Sequence, residues 1–79
     1  SPDFAIRLAD LLNEEGDLLA AQGNVREAEK SYTRALLLYR RAMREEDAAF
    51  PLDAGAKLSA LEARVPEDGM AAIEAVLNE

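Results

Sequence analysis

Two acidic clusters, Glu14-Glu15-Asp17 and Glu45-Glu46-Asp47, are the residues of this chain best suited by type to proton transfer or to holding a cation. Paired carboxylates share general acid and base work when both face one reacting centre. On a helix neither cluster meets that condition, because successive side chains point about 100° apart, and no aromatic or basic pocket surrounds them in sequence. His, Cys and Trp are absent from the chain. Their absence removes imidazole acid–base chemistry, thiolate nucleophiles, disulfides, the usual zinc sites and the Glu-x-x-His ligands of di-iron bundles. No Asp-x-Asp-x-Asn-Gly loop is present for calcium. The carboxylates therefore read as solvated faces, and the expectation is a non-enzymatic protein with no catalytic residue, cofactor or metal ligand.

The basic residues are more organised. Arg26, Lys30, Arg34, Arg41 and Arg44 recur at steps of four, four, seven and three, which places them in one stripe along a helix. This is the candidate partner-binding face, suited to an acidic peptide. Its bland counterpart is neutralisation by the chain's own acids through exposed pairs worth about 0–1 kcal/mol each. Sixteen acidic against nine basic side chains give a net charge of -7, which argues against nucleic-acid binding and against anionic membranes. No apolar run reaches the roughly 18–20 residues of a membrane span, and the N-terminus lacks the basic start of a signal peptide, so a soluble, cytoplasmic location is expected. Tyr32 and Tyr39 lie seven apart on one face; that spacing admits an aromatic platform, but core packing is the commoner use.

Seventy-nine residues make one small domain. Chains near or below roughly 70–80 residues seldom draw more than about 3–5 kcal/mol from a lone core, so help from a partner surface is expected. Hydrophobic residues make up 49% of the chain, mostly Ala and Leu, with only five β-branched aliphatics, Ile6, Val25, Val65, Ile73 and Val76. The composition reads all-α.

Four helices follow from the punctuation. The first opens at Pro2 and Asp3, carries the apolar residues Phe4, Leu8, Leu11, Leu12, Leu18 and Leu19, and stops at Gln22-Gly23. Asn24 and Glu27 have capping-box spacing and restart helix at once, so the first two helices form an antiparallel hairpin. The second helix is expected to run from Asn24 to Phe50, before Pro51, with Val25, Ala28, Tyr32, Ala35, Tyr39 and Ala42 as its seam and Glu46 as a polar interruption. Leu36, Leu37 and Leu38 give it a second buried side. Ala54, Leu58, Leu61 and Val65 mark a third helix starting near Asp53. A fourth opens around Pro66 and carries Met70, Ile73, Val76 and Leu77.

Leu12, Gly16, Leu19, Gly23, Ala28, Tyr32 and Ala35 fall at the spacing of the large, small and aromatic residues of a tetratricopeptide repeat, which the stretch from Leu12 to Leu36 resembles. The wording Ala-Gln-Gly-Asn-Val-Arg-Glu-Ala-Glu-Lys-Ser-Tyr-Thr-Arg-Ala-Leu looks most like the kinesin-light-chain subgroup. The resemblance implies helices that touch through the small residues while the large ones fill the gap. Residues 1–50 are then a clear hairpin, and residues 51–79 a second hairpin, read as a degenerate repeat with Asp68 or Gly69 at the place of Ala28. In family members that clamp the carboxylate terminus of heat-shock chaperones, the corresponding positions hold Lys and Asn; here they hold Asn13 and Asp17, and an aspartate repels a carboxylate. The segment Gly23–Leu36 also resembles the microtubule-interacting and trafficking domain, a three-helix module that binds a partner helix, but that likeness leaves the fourth helix without a role.

The function expected is a protein-interaction module: an adaptor or chaperone-like peptide binder, or a self-association domain, with an oligomerisation fragment of a larger repeat protein as a further reading. A repeat hairpin cannot bury its apolar face alone, so a homodimer is expected through Leu37, Leu38, Met43 and Phe50 of the second helix.

Overall fold

A computed structural model describes residues 2–45 and 53–79. The fold is all-α, with four helices among the described residues: α1 (Pro2–Ala21), α2 (Val25–Met43), α3 (Ala54–Arg64) and α4 (Glu67–Leu77). Among the described residues, the three extended helix–helix contacts involve α2. α1 packs along it antiparallel, since Tyr32 meets Asp17 while Tyr39 meets Asp10. α3 also runs antiparallel to α2, with Lys57 beside Asp10 and Arg64 over the Tyr32 ring. α4 reverses at Val65-Pro66 and runs parallel to α2, from Gly69 beside Thr33 to the Leu77 carbonyl beside Arg44.

The turn between α1 and α2 is set by Gly23. Its φ of 79° is a left-handed conformation open to glycine, and it lets Gly23 N–H donate to the Ala20 carbonyl and Asn24 N–H to the Leu19 carbonyl, at 3.0 and 2.9 Å. These two bonds close the end of α1. They also overturn the capping box expected of Asn24 and Glu27. The Asn24 N–H that Glu27 was to accept from is already committed to Leu19, Asn24 makes no side-chain cap, and Glu27 pairs with Lys30 at 3.2 Å instead.

α1 is apolar over a wide arc, and the side it buries differs from the expected one. Ile6, Ala9 and Gly16 are buried, with Ala5, Leu12 and Leu19 packed against the core, whereas Phe4, Leu8, Leu11 and Leu18 face outward. Size decides the matter: the Tyr32 ring lies so close that a Cβ on Gly16 would stand 2.6 Å from its Cδ1, and only small residues leave α2 that room.

α2 buries Ala28, Ser31, Tyr32, Ala35, Leu36, Tyr39 and Ala42, and its other side holds Leu37 and Leu38 against the core. It is shorter than expected, ending at Met43 rather than Phe50. Arg44 and Glu45 N–H groups donate three residues back, to Arg41 and Ala42, tightening the last turn. Glu46–Leu52 lie outside the described residues. α3 buries Ala54 and Leu61 and ends in extended backbone at Val65 (φ -85°, ψ 128°), the conformation favoured before Pro66. Pro66 itself precedes α4 as its cap residue, and Ile73 carries that helix into the core.

Candidate functional site

A cleft of about 330 Å³ separates the first half of α2 from the start of α4, and Arg26, Lys30 and Arg34 line its α2 wall at one-turn intervals, with Thr33 and the acidic Glu29 among them. Gly69 makes this wall meeting possible. A Cβ there would stand 2.7 Å from Thr33 Oγ1 and 3.0 Å from Val65 Cγ1, so the bare α4 backbone rests on α2 beside Thr33. Thr33 is itself held, its hydroxyl donating to the Glu29 carbonyl at 2.7 Å. Pro66, Asp68 and Ala72 complete the opposite wall.

Charge in the cleft is partly compensated. Lys30 pairs with Glu27 across one helical turn, and Asp68 turns its carboxylate inward to its own helix, accepting from Gly69 N–H at 2.9 Å. Arg26 and Arg34 form no ion pair or hydrogen bond among the described residues. The expected stripe of five cations is thus divided. Arg41 is exposed but stands away from the cleft lining. Arg44 is engaged: its Nη1 donates to the Leu77 carbonyl at 2.6 Å, where a cation satisfies an end-of-helix acceptor and meets the negative end of the helix dipole.

The acidic clusters are likewise dispersed. Glu15 accepts from Ser31 Oγ at 2.8 Å, Asp17 accepts from Tyr32, and Glu14 points outward from α1. Glu45 is exposed, and Glu46 and Asp47 lie outside the described residues. Among the described residues no group of three or more acidic side chains is arranged to hold a metal ion.

The aromatic pair belongs to the core. Both rings are buried, and both hydroxyls donate to aspartates of α1 that also meet cations of α3: Asp17 lies 3.5 Å from Arg64, and Asp10 lies 3.7 Å from Lys57. Arg64 further sits 5.6 Å over the Tyr32 ring and donates to Asn13 at 3.4 Å. The sequence reading passed over this three-helix arrangement, yet its signal is a spacing of seven repeated three times: Asp10 and Asp17, Tyr32 and Tyr39, Lys57 and Arg64.

Of the residues expected to carry self-association, Leu37 and Leu38 are partly covered and pack on the core, Met43 is half exposed at the end of α2, and Phe50 lies outside the described residues. α3 and α4 both pack against α2. Of the seven repeat positions, Gly16, Ala28, Tyr32 and Ala35 are buried, Leu12 and Leu19 are partly buried, and Gly23 forms the turn.

No protein-family model, no curated protein and no solved structure matches this chain. Among the described residues, no helix is long and apolar enough to cross a membrane.

Proposed function

We propose that this protein is a non-enzymatic interaction module that takes an acidic peptide segment into the cleft between α2 and α4. One observation carries the reading: Arg26 and Arg34 stand two turns apart on one wall of a 330 Å³ cleft, and neither ion-pairs with Glu29 or Asp68, the carboxylates that also line it. Three cations against two carboxylates leave the cleft lining net positive in a chain of net charge -7, a local reversal of sign of the kind that steers a complementary partner to one place. The tetratricopeptide likeness of Leu12–Leu36 agrees with an adaptor role. A chaperone-carboxylate clamp on α1 is disfavoured, since Asp17 and Asn13 already accept from Tyr32 and Arg64.

The test is fluorescence anisotropy with a labelled Glu/Asp-rich peptide and a Lys-rich peptide of equal length. Saturable binding of the acidic peptide alone is expected, weakening with salt as screened charges require. Arg26→Glu with Arg34→Glu should reduce affinity by more than about tenfold, the loss of a little over 1.4 kcal/mol. Arg41→Glu should change it little. Equal binding of both peptides, or indifference to the Arg26 and Arg34 changes, would remove the cleft as the site.

A further inference from the structure

Beside its seam with α2, the outer flank of α1 presents a row of large apolar side chains. Phe4, Leu8, Leu11 and Leu18 recur at steps of four, three and seven, and Leu11 and Leu18 are 62% and 66% exposed. Glu15 fills the remaining position of the row and is tied to Ser31. Along one edge of the row stand Arg7 and Glu14, seven residues apart and both exposed. Neither forms an ion pair among the described residues, and Arg7 is the one basic residue of α1. Of the other acids of the helix, Asp3 is exposed in the first turn, while Asp10 and Asp17 lie toward α3, where Lys57 and Arg64 meet them, so those two do not face outward with the row.

A leucine row edged by one cation and one anion at this separation is complementary to itself under a two-fold axis. We infer that the chain associates with a second copy through α1, the two helices antiparallel, with Leu8 and Leu11 against the partner's Leu11 and the partner's Leu8. This register sets Arg7 against the partner's Glu14 and Glu14 against the partner's Arg7, because positions flanking an antiparallel seam meet their counterparts one heptad away. A parallel pair would oppose Arg7 to the partner's Arg7 and Glu14 to the partner's Glu14. The outer layers bring Phe4 beside the partner's Glu15, so the seam is strongest at its centre. The surface is separate from the α2–α4 cleft, and its fate is independent of peptide binding there.

Sedimentation velocity from micromolar to millimolar concentration tests the inference. A monomer–dimer equilibrium is expected, and Leu11→Asp should abolish it while circular dichroism shows the helices unchanged. Arg7→Glu alone and Glu14→Arg alone should each weaken dimerisation about tenfold or more, since each places like charges at both flanking positions. Mixing these two variants should restore association, because both flanking pairs of the mixed dimer then join opposite charges. A monomer at every concentration overturns the inference. So does a dimer indifferent to Leu11→Asp, or a pair of charge variants that fails to recover on mixing. Binding of a Lys-rich amphipathic helix by a monomer, lost with Leu11→Asp, would assign the face to a different partner and equally overturn the second copy.

Discussion

Tyr32 Oη donates a 2.7 Å hydrogen bond to Asp17 Oδ1, joining the middle of α2 to the last turns of α1. Tyr39 makes the same kind of bond to Asp10, seven residues away on each helix. The antiparallel register of the hairpin is thereby marked at two places. Each aspartate then meets one cation of α3, so a single polar line ties three helices together along the rim of an apolar core. A buried phenol needs a partner for its hydroxyl, and a half-exposed carboxylate supplies a charged acceptor without itself being fully desolvated.

Removing this bond should be measurable by urea unfolding. Tyr32→Phe is expected to cost about 1–2 kcal/mol, in the range of hydrogen bonds to charged groups. Asp17→Ala should cost less in the Tyr32→Phe background than in the parent protein, and the double-mutant cycle should give a coupling near 1 kcal/mol. Strict additivity would show that the bond contributes nothing to stability.

Glycine at position 16 is required by the Tyr32 ring. Gly16→Ala gains about 0.5–1 kcal/mol of helix propensity but drives a methyl into the aromatic carbons, and overpacking typically costs 1–3 kcal/mol. The net expectation is destabilisation by about 1 kcal/mol or more, a fall of several degrees in Tm for a domain of this size. Gly55→Ala is the control. A Cβ at Gly55 meets nothing within 4 Å, so the propensity gain should appear undiminished as a rise in Tm.

Alkaline pH should act on Tyr32. Burial, then the hydrogen bond and negative charge of Asp17, raise its pKa above the ordinary 10.0, with Arg64 opposing. The folded state therefore holds the phenolic proton more tightly than the unfolded state. Its contribution to stability is complete below pH 10 and is lost as the pH rises from there through the folded-state value. Tyrosinate absorbance should show Tyr32 ionising late, and Asp17→Ala should bring its titration to lower pH.

At the cleft, Gly69→Ala should push the start of α4 off Thr33 Oγ1. Destabilisation of about 1 kcal/mol is expected, again the excess of overpacking over the helix-propensity gain. Thr33→Ala should relieve most of it in the double variant, because both Thr33 atoms crowding the new Cβ are then gone. Equal losses in the single and double variants would mean that Val65 alone sets the spacing.

Much of the hairpin was legible before any coordinates. Gly23 stops α1, Val65 turns extended before Pro66, the small and aromatic positions of α2 face inward, and Gly16 meets Tyr32. These follow from what individual residues permit in φ, ψ and volume, which a local reading can weigh. The candidate site was less legible. Three of five basic-face residues line the cleft, but the wall opposite them comes from Pro66, Asp68, Gly69 and Ala72, more than thirty residues on, and nothing local announced that Gly69 seats α4 on Thr33.

The sequence by itself determined the helices, their turns and the small-to-large complement between α1 and α2. Tertiary structure alone decided which side of α1 is covered, where α2 ends, and which cations are spent inside the molecule. α1 is apolar on both sides, so its periodicity has no single answer; the tyrosines chose the side with Ala9 and Gly16, because rings fit over small residues and not over Phe4, Leu8 and Leu11. Arg44 went to the Leu77 carbonyl while Arg26 and Arg34 stayed unpaired, a division set by where α4 begins and ends. Conformation is a property of neighbours in the chain, whereas burial and charge pairing depend on residues that meet only after folding.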